Sequence, residues 1–201
     1  MKNLILTLSA LFLFAAPALA ATAEIGKPAP DFTGTDVLAN KPVKLSELKG
    51  NIVVLEWTNH LCPFVRKHYN GGAMQKTQAE TEKLGAKWIS IVSSAPGREG
   101  NVTPEKAVQI VKESHAAPTY KILDESGAIG HLYNAAATPT MVVIDKSGNV
   151  AYMGAIDDRP TPDPASLNGA DNYVLDAVNA LVKGQPVKTP LTQAYGCSIK
   201  Y

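Results

Sequence analysis

The chain has 201 residues, a formal net charge of +1, and hydrophobic residues at 45% of its positions. Because acidic and basic residues are interspersed and nearly balanced, the sequence predicts neither a nucleic-acid-binding face nor an acidic tail. Cys62 and Cys197 are its only cysteines, so the chain can form one intramolecular disulfide at most.

The N-terminus has the features of a cleavable secretion signal: a basic start, an apolar stretch over residues 4–16, and the small-x-small site Ala18-Leu19-Ala20. The alternative is an uncleaved membrane anchor. It is disfavoured because Pro17 interrupts the apolar stretch, which is shorter than the ~20 residues of a spanning helix. We therefore expect residues 1–20 to be a signal peptide and residues 21–201 to form one domain with no stable membrane insertion. The protein would be exported, most simply to a bacterial periplasm, where a disulfide persists.

From Lys27 onwards, apolar and polar residues follow a pattern of extended segments and helices. The predicted strands cover residues 51–57 and 87–93, and a hairpin joins residues 140–145 to 149–154. The predicted helices cover residues 63–84, with a break at Asn70-Gly71-Gly72, and then about 103–115, 126–133 and 171–183. Strands that alternate with helices in this way predict an α/β fold, in which a mixed sheet is covered on both faces.

Cys62 lies where the first predicted strand gives way to a helix that begins at Pro63. Proline suits the first helical position because the N–H that it lacks would have no partner there. Free N–H groups and the positive end of the helix dipole stabilise an anion at this place, which lowers the pKa of a cysteine thiol. We therefore predict that Cys62 is the reactive nucleophile. The alternative is a buried cysteine that packs as a small apolar side chain.

Four polar residues near Cys62 are candidates for supporting roles. Thr58 or Asn59 could donate a hydrogen bond to the thiolate or to a peroxide oxygen, or could only form the turn. His60 could lower the pKa of the Cys62 thiol or act as an acid–base group. Arg66 follows Cys62 by one helical turn and could face the thiolate, or it could be a solvated surface charge.

A metal site is the less favoured interpretation of the same region. His60, Cys62 and His68 are close in sequence and carry donor atoms, but their spacing matches no standard zinc motif. Helix geometry would not direct all three side chains at one centre. We therefore predict that the protein uses no metal and no other cofactor.

Four segments of the chain carry a family resemblance. They are Gly26-Lys27-Pro28-Ala29-Pro30-Asp31-Phe32, Leu45-Ser46-Glu47-Leu48-Lys49-Gly50, the turn from Trp57 to Pro63, and Ala137-Thr138-Pro139-Thr140 with the apolar run that follows. With these motifs the chain resembles the thioredoxin-like superfamily, specifically its redoxin or peroxiredoxin-like branch. The resemblance implies a thioredoxin-like fold, with a central mixed sheet flanked by helices on both faces. It also implies a cis bond between Thr138 and Pro139, opposite the active thiol, where a partner's backbone docks.

The chain also departs from its relatives at functional positions. Val65 stands where a Cys-x-x-Cys motif has its second cysteine, so a vicinal dithiol cycle is excluded. Leu55 and Asn59 stand where typical peroxiredoxins have the Pro and Thr of Pro-x-x-x-Thr-x-x-Cys, and no arginine lies near Pro139. These departures argue against efficient peroxide reduction.

Cys197 decides among three functions. In the first, a peroxiredoxin-like oxidoreductase, a peroxide oxidises Cys62 to a sulfenic acid, Cys197 resolves it as a disulfide, and an external thiol reductant reopens the bond. In the second, the same pair exchanges electrons with a protein disulfide and has no peroxidase activity. In the third, the Cys62–Cys197 bond is a structural staple in a non-catalytic module that binds a partner beside Pro139. The sequence favours thiol redox chemistry over the staple, because a staple would consume the best nucleophile in the chain.

Overall fold

A computed structural model describes residues 22–201, so the predicted signal peptide, residues 1–20, lies outside the described residues. Within that range the strands are β1 (Thr33–Asp36), β2 (Lys41–Lys44), β3 (Val53–Trp57), β4 (Lys87–Val92), β5 (Tyr120–Leu123), β6 (Ala137–Thr138), β7 (Thr140–Ile144), β8 (Val150–Gly154) and β9 (Cys197–Ser198). The helices are α1 (Pro63–Asn70), α2 (Ala73–Lys83), α3 (Pro104–Glu113), α4 (Ala128–Leu132) and α5 (Tyr173–Val182). None of these helices is long and apolar enough to cross a membrane.

Seven of the strands form one mixed sheet in the order β2-β1-β5-β4-β3-β7-β8. The three central strands β3, β4 and β5 run parallel, while β7 and β8 close one side and β1 and β2 the other in antiparallel pairs. The remaining two strands, β6 and β9, form a separate ribbon. The parallel pairs require crossover connections, and the helices supply them.

Helices cover both faces of the sheet, as predicted. On one face α2 and α5 pack against a core that includes Val54, Trp88 and Val143. On the other face α4 and the segment before β1 pack against a core that includes Leu55 and Ile91. Neighbouring residues of β3 thus point to opposite cores, which explains why four of its five residues are apolar, Glu56 being the exception.

The structure confirms the predicted mixed α/β architecture, including the break between α1 and α2. Gly72 has a φ of +73°, which favours glycine, and a Cβ on Gly71 would lie 2.7 Å from Leu167. The sequence did not indicate β1, β2, β5, β6 or β9. The first two are short and largely polar, β5 carries the buried Lys121 within its apolar run, and β6 and β9 have only two residues each.

Candidate functional site

Cys62 is the residue that caps the N-terminus of α1, and its side chain is fully buried. The turn before it is held by Asn59, whose side-chain oxygen accepts a bond of 2.9 Å from the Leu61 amide. The Cys62 amide donates to the Asn59 carbonyl at 3.0 Å, and the Cys62 carbonyl accepts the first helical bond from Arg66. Local sequence therefore fixes the backbone that carries the sulfur.

Cys62 and Cys197 form a disulfide, with their Cα atoms 5.9 Å apart. Cys197 reaches Cys62 as part of β9, which pairs antiparallel with β6 so that Cys197 lies opposite Thr138. The bond from Thr138 to Pro139 is cis, which confirms the expectation drawn from the resemblance. The Thr138 carbonyl oxygen lies 3.3 Å from the Cys62 sulfur, so this peptide unit borders the disulfide directly.

The tail, residues 185–201, is held beside the cis bond by backbone contacts. A Cβ on Gly196 would lie 1.9 Å from the Thr138 carbonyl oxygen, so only glycine permits this approach. The Ile199 amide donates to the Ala136 carbonyl at 3.0 Å. At the end of the chain, the Tyr201 hydroxyl donates to the Ala135 carbonyl at 2.6 Å. The end of the tail, residues 196–201, therefore lies along the segment 135–138, where Cys197 and Ser198 pair with β6 as a short added strand.

A buried polar cluster also holds the tail against the rest of the protein. This anchor cluster consists of Lys67 and His68 of α1, Asp157 from the loop after β8, and Tyr195 of the tail. The Lys67 ammonium is fully buried, lies 3.8 Å from an Asp157 oxygen and donates to the Tyr195 hydroxyl at 3.2 Å. The Tyr195 hydroxyl also donates to Asp157 and lies 3.3 Å from His68 Nε2. The cluster thus links the tail, through Tyr195, to side chains of α1 and of the loop after β8.

The anchor cluster shifts the pKa of each of three members. Burial lowers the pKa of His68 to about 4, with Asp157 opposing this shift and Lys67 adding to it. Burial also lowers the pKa of Lys67, against the attraction of Asp157. Burial and the bond to Asp157 raise the pKa of Tyr195 well above that of an ordinary tyrosine. His68 is therefore neutral at pH 7, and Tyr195 keeps its proton.

The polar residues predicted to support Cys62 lie in different places. Asn59 is buried, and its amide donates to Glu99 at 3.2 Å while its oxygen holds the turn. Thr58, His60 and Arg66 line a cavity beside α1, and Cys62 is not among the residues that line it. Burial and the charges of Lys121 and Lys106 lower the pKa of His60, against the effect of Glu99. Thr138 and Pro139 are the predicted residues that the fold brings to the disulfide.

Sequence reasoning missed the anchor cluster. Lys67, Asp157 and Tyr195 come from three distant segments, and a lysine in a helix is normally a surface residue. The one available signal was the pair His68 and Lys67, polar residues within one turn of the apolar Val65. Among the described residues, no group of three His, Cys, Asp or Glu side chains is arranged to hold a metal ion.

Comparison with known proteins agrees with this geometry. The sequence model of the Redoxin family matches residues 24–171. An uncharacterized conserved protein from Geobacillus kaustophilus is 25% identical, with a TM-score of 0.74 over 94% of this chain and 98% of that one. A hypothetical protein from Sinorhizobium meliloti 1021 is 26% identical, with a TM-score of 0.74 over 90% of this chain and 96% of that one.

A more distant structure shares the fold alone. It is a secreted Mycobacterium tuberculosis disulfide oxidoreductase, 19% identical, with a TM-score of 0.53 over 75% of this chain and 96% of that one. Among curated proteins no match was found. The family match covers well over half of the chain and includes Cys62. The chain therefore belongs to the Redoxin family and, with its disulfide-forming cysteine pair, is a thiol-based oxidoreductase.

Proposed function

We propose that the protein is an exported thiol–disulfide oxidoreductase that exchanges electrons with disulfides of other polypeptides. Cys62 is the nucleophile in this proposal, and Cys197 is the resolving cysteine. One observation carries it: Cys197 reaches Cys62 on an antiparallel strand that pairs with β6, while α1 stays intact to its first residue. A polypeptide strand already occupies the position that a polypeptide substrate would need.

The surroundings of the Cys62 sulfur support a polypeptide substrate over a peroxide. A peroxide needs donors that polarise the O–O bond and stabilise the developing oxyanion. The group next to the sulfur is instead the Thr138 carbonyl, which accepts hydrogen bonds. The Asn59 amide donates to Glu99, and Thr58 and Arg66 line the neighbouring cavity. The peroxide-reducing cycle stays a prediction, which the experiment below also tests.

The exchange balances as two successive substitutions at sulfur. The Cys62 thiolate attacks one sulfur of the substrate disulfide, and the other substrate sulfur leaves as a thiolate. The Cys197 thiolate then attacks Cys62, forms the Cys62–Cys197 bond and releases the second substrate thiolate. Two electrons pass to the substrate, and an external dithiol returns the pair to its reduced form by the same steps in reverse.

The assignment of roles rests on the two local environments. Cys62 lies at a helix start, where a thiolate is stabilised, whereas Cys197 lies in a half-buried two-residue strand. Export is supported by the signal-like pattern of residues 1–20 and by the disulfide itself, which persists in oxidising compartments.

Single-cysteine variants test the proposal. Reduced Cys197→Ser should accumulate a mixed disulfide between Cys62 and a cystine-containing peptide, visible by mass spectrometry. Cys62→Ser should form none at a comparable rate, and wild type should turn over. In a parallel arm, stopped-flow oxidation by hydrogen peroxide should be no faster than that of a free thiol. A rapid Cys62-dependent reaction with peroxide, combined with slow exchange, would replace the proposal with the peroxidase cycle.

The redox potential of the cysteine pair separates a working couple from a staple. Equilibration with glutathione buffers, followed by alkylation and mass spectrometry, gives the potential directly. We expect a value above about −300 mV, because lower potentials are typical of structural disulfides. A lower value would favour the structural interpretation and remove the proposed cycle.

A further inference from the structure

A cavity of about 260 Å³ lies between α1, α3 and the sheet. Val65 and Arg66 of α1 form one side, Ser90 and Val92 of β4 form the floor, and α3 forms the other side. Neither cysteine is among the residues that line it. The cavity is therefore a separate site beside the redox pair.

One wall of the cavity is apolar and incompletely packed. Thr103 caps α3, which begins at Pro104 and has Ala107 buried against the rest of the protein. Ala107 is fully buried, but Ile110 and Val111 are only half-buried and border the cavity. An apolar ligand would remove these surfaces from water, which favours its binding.

A buried lysine forms the polar end. Lys121 lines the cavity, is only 6% exposed, and forms no hydrogen bond or ion pair through its ammonium group with any described residue. Burial lowers its pKa to about 8, and the charge of Glu56 opposes that shift in part. An ammonium group without a partner is costly in a protein interior, where buried charges are normally paired or bind a ligand.

Glu56 does not fill the role of that partner. Strand register places Glu56, Ser90 and Lys121 side by side across β3, β4 and β5, with Ser90 between the two charges. The Glu56 oxygens already accept bonds of 2.7 Å from Ser90, 2.8 Å from Tyr69 and 2.8 Å from Trp88. The lysine therefore faces the cavity with its hydrogen-bonding capacity unused.

The remaining charged and polar groups of the lining also suit an anion. The Thr58 hydroxyl has no hydrogen-bond partner in the described part of the chain, and Arg66 stands exposed at the rim. Glu113 is the acidic residue of the lining, and it accepts a bond of 2.6 Å from Gln109. Cationic and neutral donors thus outnumber acidic groups around the cavity.

We propose that this cavity binds a small amphipathic monocarboxylate. The ligand carboxylate pairs with Lys121, and its apolar body packs against Ile110 and Val111 of α3. The site goes beyond the redox proposal and does not depend on it, because it requires neither cysteine. An experiment that rules out the redox cycle would therefore not affect the proposed binding site.

Octanoate is a suitable probe, and calorimetric titration of the full protein measures its binding. Lys121→Met removes the charge and keeps the volume, and Ile110→Trp fills the cavity while keeping the lysine. Lys188→Met is the matched control, since it makes the same change at an exposed position outside the cavity. Octan-1-ol tests the carboxylate, because it keeps the apolar body without the charge.

We expect octanoate to bind wild type saturably, with one site per chain. Lys121→Met should weaken this binding at least about tenfold, since a hydrogen bond to a charged group contributes that much or more. Ile110→Trp should weaken it by a similar factor, because the indole fills the space that the apolar body of octanoate would occupy. Octan-1-ol should bind wild type at least about tenfold more weakly, and Lys188→Met should match wild type. Absence of saturable octanoate binding to wild type would overturn the proposal. Undiminished binding to Lys121→Met would do the same.

Discussion

The two sulfurs of the disulfide are held by different kinds of structure. Cys62 is fixed by residues next to it in sequence: the end of β3, the Asn59 turn and the start of α1. Cys197 is fixed by residues far away in sequence, because β9 pairs with β6 and Tyr195 belongs to the anchor cluster. One half of the redox pair is therefore part of the scaffold, and the other half is a docked segment.

This difference suggests how the two halves behave when the disulfide opens. The scaffold side keeps its hydrogen bonds, since none of them involves the tail. The tail side is held by the two-residue strand β9, the anchor cluster and the contacts of Tyr201, while residues 190–192 form separate backbone bonds with Met153 of β8. Short segments of this kind open at low free-energy cost. We therefore expect the end of the tail, residues 195–201, to separate from β6 in the reduced protein, which would expose β6 to a substrate.

The largest effect is expected from Asp157→Asn, because Asp157 serves both the scaffold and the tail. The change leaves the buried Lys67 without its counter-charge. Removing one partner of a buried ion pair costs roughly 3 to 5 kcal/mol, although the Arg159 carbonyl at 2.7 Å still accepts from Lys67. Urea unfolding should show a loss of about 3 kcal/mol. Asp158→Asn removes a half-exposed carboxylate that pairs with Arg159 and should cost under about 1 kcal/mol. Equal losses would contradict the role of the cluster.

The pH dependence of stability should reveal the same cluster through His68. Its pKa is about 4 in the folded protein and ~6.5 in the unfolded chain, so the unfolded state binds more protons between these values. Stability should therefore be complete above pH 6.5 and fall as the pH drops toward 4, by on the order of 2 kcal/mol. Urea unfolding at several pH values measures this loss. Other groups contribute to the same pH dependence, including His60, whose pKa burial also lowers, so His68→Gln is the reference. Parallel curves for wild type and variant would refute the assignment.

Gly196→Ala should loosen only the docked side. A Cβ at this position meets the Thr138 carbonyl, and the φ of +133° is unfavourable for alanine. We expect the equilibrium constant for disulfide formation in glutathione buffers to fall at least about tenfold, or 1.4 kcal/mol. Gly184→Ala also has a positive φ, of +66°, but meets open space. If both variants shift the equilibrium equally, pairing with β6 does not hold Cys197.

Tyr195→Phe should have a smaller effect on the same equilibrium. The phenylalanine keeps the packing against Phe64, whose ring centre lies 5.8 Å away, but removes the hydroxyl between Lys67 and Asp157. A lost hydrogen bond typically corresponds to about 1 kcal/mol, or roughly a fivefold weaker disulfide. Limited proteolysis of the reduced variant should also cleave the tail faster than in wild type. Tyr120→Phe, which changes a tyrosine outside the tail and the cluster, should alter neither measurement.

The contrast between features fixed by neighbouring residues and features fixed by distant ones also explains what could be predicted from the sequence. The helix start at Pro63, the Gly71-Gly72 break and the hairpin between β7 and β8 depend on neighbouring residues, so local patterns indicate them. The cis bond before Pro139 followed from a family resemblance and not from local rules. Lys121 could not be placed, because its burial depends on two neighbouring strands and the strand itself reads as interrupted. Tyr195 could not be placed either, because its partners are 38 residues or more away in sequence.

Arg66→Gln should have the smallest effect on the redox chemistry, which would sharpen the contrast on the scaffold side. The Arg66 side chain is exposed, and within residues 22–201 it forms no ion pair and no side-chain hydrogen bond. Its charge lies one turn from Cys62 in sequence, but solvent screening leaves exposed charges with little influence, about 0 to 1 kcal/mol. We expect the rate of Cys62 alkylation at pH 6 in the reduced protein to change less than about twofold. The alkylation rate should also be insensitive to added salt, since a thiolate activated by an exposed arginine would lose reactivity as ionic strength rises. A tenfold slower reaction in the variant, with a matching salt dependence in wild type, would show that the helix start alone does not activate Cys62 and that Arg66 contributes to its reactivity.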